Sequence, residues 1–375
     1  MKKLKQRVKD TIYKWRGWKT SRKIIVIESD DWGSIRMPSK EVYNSLLKQG
    51  IRVDKDDYCK YDNLATPDEL ASLYEVLSSV KDKNGNHAII TANTIVANPD
   101  FEKIRESNFE EFFFEPFTKT MKRFPATENS FEMWKEGMNH NLFHPQSHGR
   151  EHLYVKKWMN DLKNNVRSTR IGFDAGTFGL TSDTSPEINL NYMGAYNSGL
   201  KEDIEQFNNI ITEGLAMFKD IIGYKSLSFI PTTYTWPIEI ESTLKDNGVR
   251  YIQGFKYQSI PVDDDNIFKA RNNSLMGLKS KTGLIYLIRT CDFEPSQPKM
   301  TESINRCLWK IQRQFSWGMP AIISTHRLNF IGSIHPRNRD KNLKHFSKLL
   351  ESIVGKWPDV EFLTSDELGL IKENE

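Results

Sequence analysis

The run IIVIESDDWGS (24–34) decides how the rest of the chain is read. Ile24 to Ile27 form an unbroken β-branched stretch, the pattern of a strand buried on both faces of a parallel sheet. That stretch stops at Trp32-Gly33, so Asp30 and Asp31 stand at a strand's carboxyl end and present their side chains to solvent. Two adjacent carboxylates repel, and each resists ionising unless a cation or a proton separates their roles. One is suited to hold a metal and the other to move protons. Serving a turn or a helix N-cap is the competing use of such a pair.

Working outward, further short β-branched runs recur at 87–93, 142–147, 226–230, 249–253, 284–289, 321–325 and 360–363. Helix-like segments fill the gaps, at 67–81, 99–108, 129–138, 151–163, 201–220, 237–247, 300–315 and 339–355. Thr66-Pro67-Asp68-Glu69 opens the first of them with an N-cap, a Pro at N1 and a Glu at N3. The alternation predicts βα units in a parallel sheet or barrel. Residues 165–198, rich in Gly, Ser, Thr, Asn and Asp, read as a long surface excursion of the kind that carries function.

At 375 residues and 38% apolar content the chain can bury a large core. No stretch approaches the roughly 20 apolar residues of a membrane span, and no signal-peptide h-region is visible, which predicts an intracellular protein. Cys59, Cys291 and Cys307 suit neither a disulfide framework nor a zinc knuckle. Residues 1–23 carry ten Lys/Arg against one Asp, with Leu4, Val8, Ile12, Trp15 and Trp18 at helical spacing. We expect a basic amphipathic leader at 1–21, able to dock peripherally on an anionic membrane at its inner face or to pack on the body of the protein, followed by one α/β domain over 22–375. No nucleic-acid reader motif is present, so no nucleic-acid partner is expected.

The stretch NLFHPQSHGREHL (141–153) places His144, His148 and His152 four residues apart. Residues four apart share a helix face, so His148 and His152 are suited to one ion, and neutral imidazoles with a carboxylate suit zinc or another first-row divalent metal. His144, held extended by Pro145, is the alternate ligand. His326 follows the late strand AIIST before a polar loop with Arg327 and Asn329, while Pro231, Tyr234 and Trp236 follow the strand SLSFI. In a parallel barrel, residues at the carboxyl ends of strands converge on one open face.

An aspartate pair after the first strand, a His-x-x-x-His pair, a Pro-aromatic strand end and a late strand ending in His together resemble the polysaccharide deacetylases, the NodB-homology or family-four carbohydrate esterases. The order of elements matches over about residues 22–366. The resemblance implies a distorted (β/α)7 barrel with inserted loops and helices, a divalent ion (Zn, with Co, Mn, Fe or Ni as substitutes) and hydrolysis of an N- or O-acetyl group on a poly- or oligosaccharide, or on a lipid- or nucleotide-linked precursor. Carried over by motif, Asp31 with His148 and His152 holds the metal, Asp30 is the general base and His326 the general acid. Trp32, Tyr234, Trp236, Arg327 and Asn329 are the expected substrate contacts. The family's Arg-Pro-Pro-Tyr is Ile230-Pro231-Thr232-Thr233-Tyr234 here, so the arginine that steadies the base must come from elsewhere: Arg150, Arg289 or Arg327. Asp292 and Glu294 are the candidates to orient His326.

Two other readings compete. His148-Gly149-Arg150-Glu151-His152 also spells the inverzincin peptidase signature, with Glu151 as base. The altered motifs are equally compatible with a catalytically inactive barrel that binds glycan.

Overall fold

Each of the eight runs expected as strands forms one, and together they make a single parallel sheet that curls into a distorted barrel. The structure is a computed structural model and describes residues 16–188, 191–263, 267–272, 275–297 and 303–375. The strands of this sheet are β1 (Lys23–Trp32), β2 (Ile90–Ile95), β3 (Phe143–Gly149), β4 (Ser228–Phe229), β5 (Tyr251–Gly254), β6 (Ile285–Ile288), β7 (Cys291–Asp292), β8 (Ala321–His326) and β9 (Val360–Leu363). The hydrogen-bonded order is β6-β5-β4-β3-β2-β1-β8-β7, with β9 against the first half of β1. The two ends of that order are neighbours in sequence. Arg289 N–H donates to Gly254 O at 2.8 Å and Thr290 N–H donates to Ile322 O at 3.0 Å, so consecutive residues bond to opposite ends of the sheet. Counting β6 and β7 as one stave therefore closes a ring of seven.

Strand periodicity then sorts the side chains. Ile25 and Ile27 point outward and pack with Leu70, Leu73, Leu349 and Ile353 of the helices Pro67–Ser78 and Pro336–Lys356. Ile24 and Val26 point inward and meet Phe229, Ile252, Leu287 and Ile322 of other staves. Covering both faces explains the unbroken apolar run. By the same alternation Glu28 and Asp30 project into the barrel. Ser365, at the start of the helix Ser365–Asn374, reaches Glu28 from within, its hydroxyl 2.8 Å from Oε1.

Two expectations need correction. Residues 165–198 are not a bare loop: they include the helix Arg167–Asp174, and Phe173, Phe178, Leu180, Ile188, Tyr192 and Met193 are buried in a cluster with Leu46 and Trp158. Apolar residues spaced among polar ones hid that core. The helix expected over 151–163 starts only at Val155, because the strand runs on to Gly149, whose φ of 118° turns the chain. Of the leader, residues 1–15 lie outside the described residues. Residues 18–20 are non-helical, and Trp18 is tied to the body by Nε1–H donating to Glu375 at 2.8 Å. Among the described residues no helix is long and apolar enough to cross a membrane.

Candidate active site and metal centre

Strict alternation would put neighbouring Asp30 and Asp31 on opposite faces of β1. The strand avoids this with an irregularity: pairing with β2 slips between Ser29 and Trp32, and Asp31 takes φ 72°. That left-handed residue turns the second carboxylate into the same mouth as the first, and Asp accepts the conformation more readily than most side chains. Gly33 follows at φ 83°, where a Cβ would lie 2.2 Å from Ile95 O. The same slip sends Trp32 outward. It is 1% exposed, edge-on to Phe143 at 4.8 Å and Trp134 at 6.1 Å, with Nε1–H donating to Ser29 Oγ. Trp32 is thus a core residue, not the rim residue expected.

Asp31 meets the two histidines. Its Oδ1 is 3.6 Å from His148 Nε2 and 3.4 Å from His152 Nε2, and the three are the one metal-capable group found among the described residues. His148 Nδ1–H donates to Ile230 O at 2.8 Å, an arrangement that in the neutral ring leaves Nε2 as a lone pair. Burial, reinforced by the positive Arg36, pushes His152 well below the usual imidazole range. Burial opposes the charge on Asp31, but Arg36 and the histidines outweigh it and hold the carboxyl well below its ordinary value. With the ring protons on Nδ1, three lone-pair atoms converge. Ligands of a tetrahedral zinc stand about 3.3 Å apart, given bonds near 2.0 Å. The donor set fits such an ion.

The pair reaches this geometry without the expected helix: His148 ends β3 and His152 lies in the irregular turn after Gly149. His144 is excluded as the alternate. It shares a face of β3 with His148, but four residues of strand separate them by roughly 13 Å, and its Nε2 is 3.1 Å from Asp366. Glu151 is locked onto Arg150 at 2.5 and 2.8 Å, so the peptidase reading lacks a free base.

Asp30 is gripped from the seam of the barrel. Arg289 NH2 reaches Oδ1 at 2.6 Å and NH1 reaches Oδ2 at 2.7 Å, while Asn93 Nδ2 adds a bond at 2.7 Å. Arg289 also donates to Glu28 at 2.5 Å and Tyr234 Oη at 2.8 Å, and is itself fully buried. Burial alone would raise the Asp30 pKa; Arg289 outweighs it and holds it far below the carboxylate range. Of the three candidate arginines, Arg289 supplies the steadying guanidinium. Arg150 pairs with Glu151 and Glu213, and Arg327 pairs with Asp62.

Opposite stands His326 at the end of β8, its Nε2 3.6 Å from Asp30 Oδ2 and its Nδ1 2.6 Å from Glu294 Oε1. Burial works against the imidazolium, but Glu294 outweighs it and pushes the pKa up to about 9. Asn329 donates to Glu294 Oε2 at 2.6 Å, so it positions the orienting acid and does not meet substrate. Asp292 pairs with Lys310 and Arg306, leaving Glu294 to orient the histidine.

Asp30, Asp31, His148, His152, Glu294 and His326 line a cavity of about 340 Å³ whose walls include Tyr58, Met193, Tyr234 and Phe255. Besides Trp32 and Asn329, two more expected contacts are not there. Trp236 is 2% exposed, its Nε1–H donating to Glu241, and Arg327 is 1% exposed, forked onto Asp62 at 2.9 Å. Asn93, Tyr58 and Arg36 were not foreseen. Only Asn93 carried a signal, as a polar residue at an inward position of a buried strand.

No family model matches the chain, and no curated protein matches it in sequence. Among solved structures, it is similar to a probable polysaccharide deacetylase from Pseudomonas aeruginosa at 12% identity and a TM-score of 0.46, with 95% of this chain and 92% of that one covered. A putative polysaccharide deacetylase from Mycobacterium smegmatis aligns at 11% identity and 0.43, covering 95% and 92%. An allantoinase aligns at 10% identity and 0.46, covering 94% and 91%.

Proposed function

We propose that the chain is a metal-dependent hydrolase that removes an acetyl group from an acetylated sugar. One observation carries this reading: a three-donor cation site shares a cavity of about 340 Å³ with a fixed carboxylate and a protonated imidazole. That volume suits a small ligand.

A divalent ion held by Asp31, His148 and His152 would supply Lewis acidity, polarising an acyl carbonyl and lowering the pKa of water from 15.7 to about 7. Asp30 accepts one proton of the attacking water. Its fork with Arg289 makes it a weak base in isolation, so its contribution is position and a carboxylate that is ionised before water attacks. As the bond from the acyl carbon to the sugar's nitrogen or oxygen breaks, His326 gives its Nε2 proton to the leaving atom, which would otherwise depart as a strongly basic anion. Glu294 on Nδ1 stabilises the imidazolium until that moment. The products are acetic acid, which ionises to acetate by giving a proton to solvent, and a free amine or hydroxyl, and transfer of the proton held by Asp30 to His326 returns the pair to its starting state.

The test is acetate release from partially acetylated glycans with added Zn, Co, Mn or Fe. Release by the wild type that needs an ion, and that Asp30→Asn abolishes, is expected. Tight glycan binding with no release under any ion would refute the proposal in favour of an inactive binding barrel.

A further inference from the structure

Arg36 has no part in the reaction above, yet it lines the same cavity and is only 5% exposed. A guanidinium stays charged in any protein environment, so a buried one needs acceptors. Those around Arg36 are poor. NH1 sits 2.7 Å from the sulfur of Met193, a weak acceptor, and the Tyr58 ring covers one face at 5.2 Å. Nε lies 4.0 Å from Asp62, whose two oxygens already take the fork of Arg327. NH2 is 3.2 Å from Asp31 Oδ2, on the carboxylate that the cation site requires. Nε–H has no hydrogen-bond partner among the described residues. Asp56, also on this wall, is turned to the N–H of Cys59 at 2.9 Å.

A second unmet group stands on the same wall. Thr181 lines the cavity, is buried, and its Oγ1 finds no partner among the described residues. Gly179, two residues before it, keeps the chain close: a Cβ there would sit 3.8 and 3.9 Å from Cδ and NH1 of Arg36. Once Asp31 shares its charge with a cation, Arg36 is left with Asp62, already forked by Arg327, and Asp56, already turned to Cys59, and its Nε–H stands unmet next to an idle hydroxyl. Buried donors without acceptors are costly, and a planar carboxylate is the acceptor an arginine meets best.

We infer that Arg36 and Thr181 form an anion subsite beside the cation site, and that the substrate is an acidic sugar with a carboxylate within one ring of its acetyl group. This rests on the deacetylase reading. Arg36 here acts as a specificity residue.

Calorimetry on the zinc-loaded full-length chain, comparing N-acetylglucosamine with N-acetylglucosaminuronic acid, tests it. The two differ only by the carboxylate. The wild type should bind the acid at least tenfold more tightly, Arg36→Gln and Thr181→Val should each lose most of that preference, and Arg36→Lys should keep part. Equal affinities in the wild type, no binding of the acid, or a preference unchanged by Arg36→Gln would overturn the inference. So would equal weakening of both sugars together with loss of zinc, which would mark Arg36 as a support for Asp31 alone. Acetate release separates the two proposals: a wild type that hydrolyses the neutral sugar without preferring the acid refutes only the subsite. Arg36-dependent binding of the acid with no acetate release under any ion refutes only the reaction.

Discussion

Replacing Arg289 with Met removes the one cation that faces both Glu28 and Asp30. Both carboxylates are buried, and Arg289 reaches them at 2.5, 2.6 and 2.7 Å. Breaking a buried ion pair from one side costs about 3–5 kcal/mol, a large share of the roughly 5–15 kcal/mol that holds a folded domain. The deficit has a distinctive pH dependence. In the wild type Asp30 is held below its unfolded value, so its contribution is present above about pH 4 and is lost only in acid. Burial already raises Glu28 beside Arg289; without Arg289 it raises Glu28 further and lifts Asp30 above its unfolded value of about 4 as well, so the chain must bind protons or carry bare charges. Each pH unit between the unfolded and raised folded pKa then costs about 1.4 kcal/mol per group. Arg289→Met should therefore be about 3–5 kcal/mol less stable at pH 8, with a smaller gap at pH 5. Adding Glu28→Gln should recover part of the loss. Urea unfolding of the metal-free protein at both pH values measures it, with chelator present so that ion binding does not enter the balance. A deficit under 1 kcal/mol, or one equal at pH 5 and 8, would show that the seam does not hold the carboxylates as described.

Three further outcomes are expected. Zinc at one hundred times its dissociation constant should stabilise the wild type by about 2.7 kcal/mol and leave Asp31→Asn nearly unmoved in the same thermal melt. If His326 delivers the leaving-group proton, acetate release should fall as pH rises through about 9; Glu294→Gln, which removes the interaction that raises this pKa, should move that limb downward by a unit or more in a pH-rate profile. Trp32→Ala should cost about 3–5 kcal/mol in chemical denaturation, as a core deletion does, whereas a rim role would leave stability unaltered and raise KM.

The barrel was legible because its strands announce themselves. Ile24 to Ile27 and the seven later runs carry a composition that few other structures accept, and each became a stave or its neighbour. The site was legible where spacing alone defined it, as with His148 and His152, although a strand end and a turn bring them together in place of a helix. What escaped depends on parity and on distant contact. Trp32 would have pointed into the mouth had Asp31 kept the alternation; one positive φ reverses it. His144 looked equivalent to its neighbours because a sequence does not register rise along a strand. Arg289 stands 55 residues beyond Tyr234 and takes the place of an arginine the motif would put beside it. Asn329 and Arg327 lie in the loop after β8, where polarity suggested solvent, but their partners Glu294 and Asp62 are buried with them.

The seam at Arg289-Thr290 ties construction to chemistry. The residue that fixes Asp30 sits on the stave that zips to β5 on one side and to β8 on the other. An unzipped barrel loses the grip on Asp30 and leaves that carboxylate buried among unmet charges. In the reaction proposed above, ring closure and the fixing of the base are then one event, so turnover would serve as a gauge of ring closure.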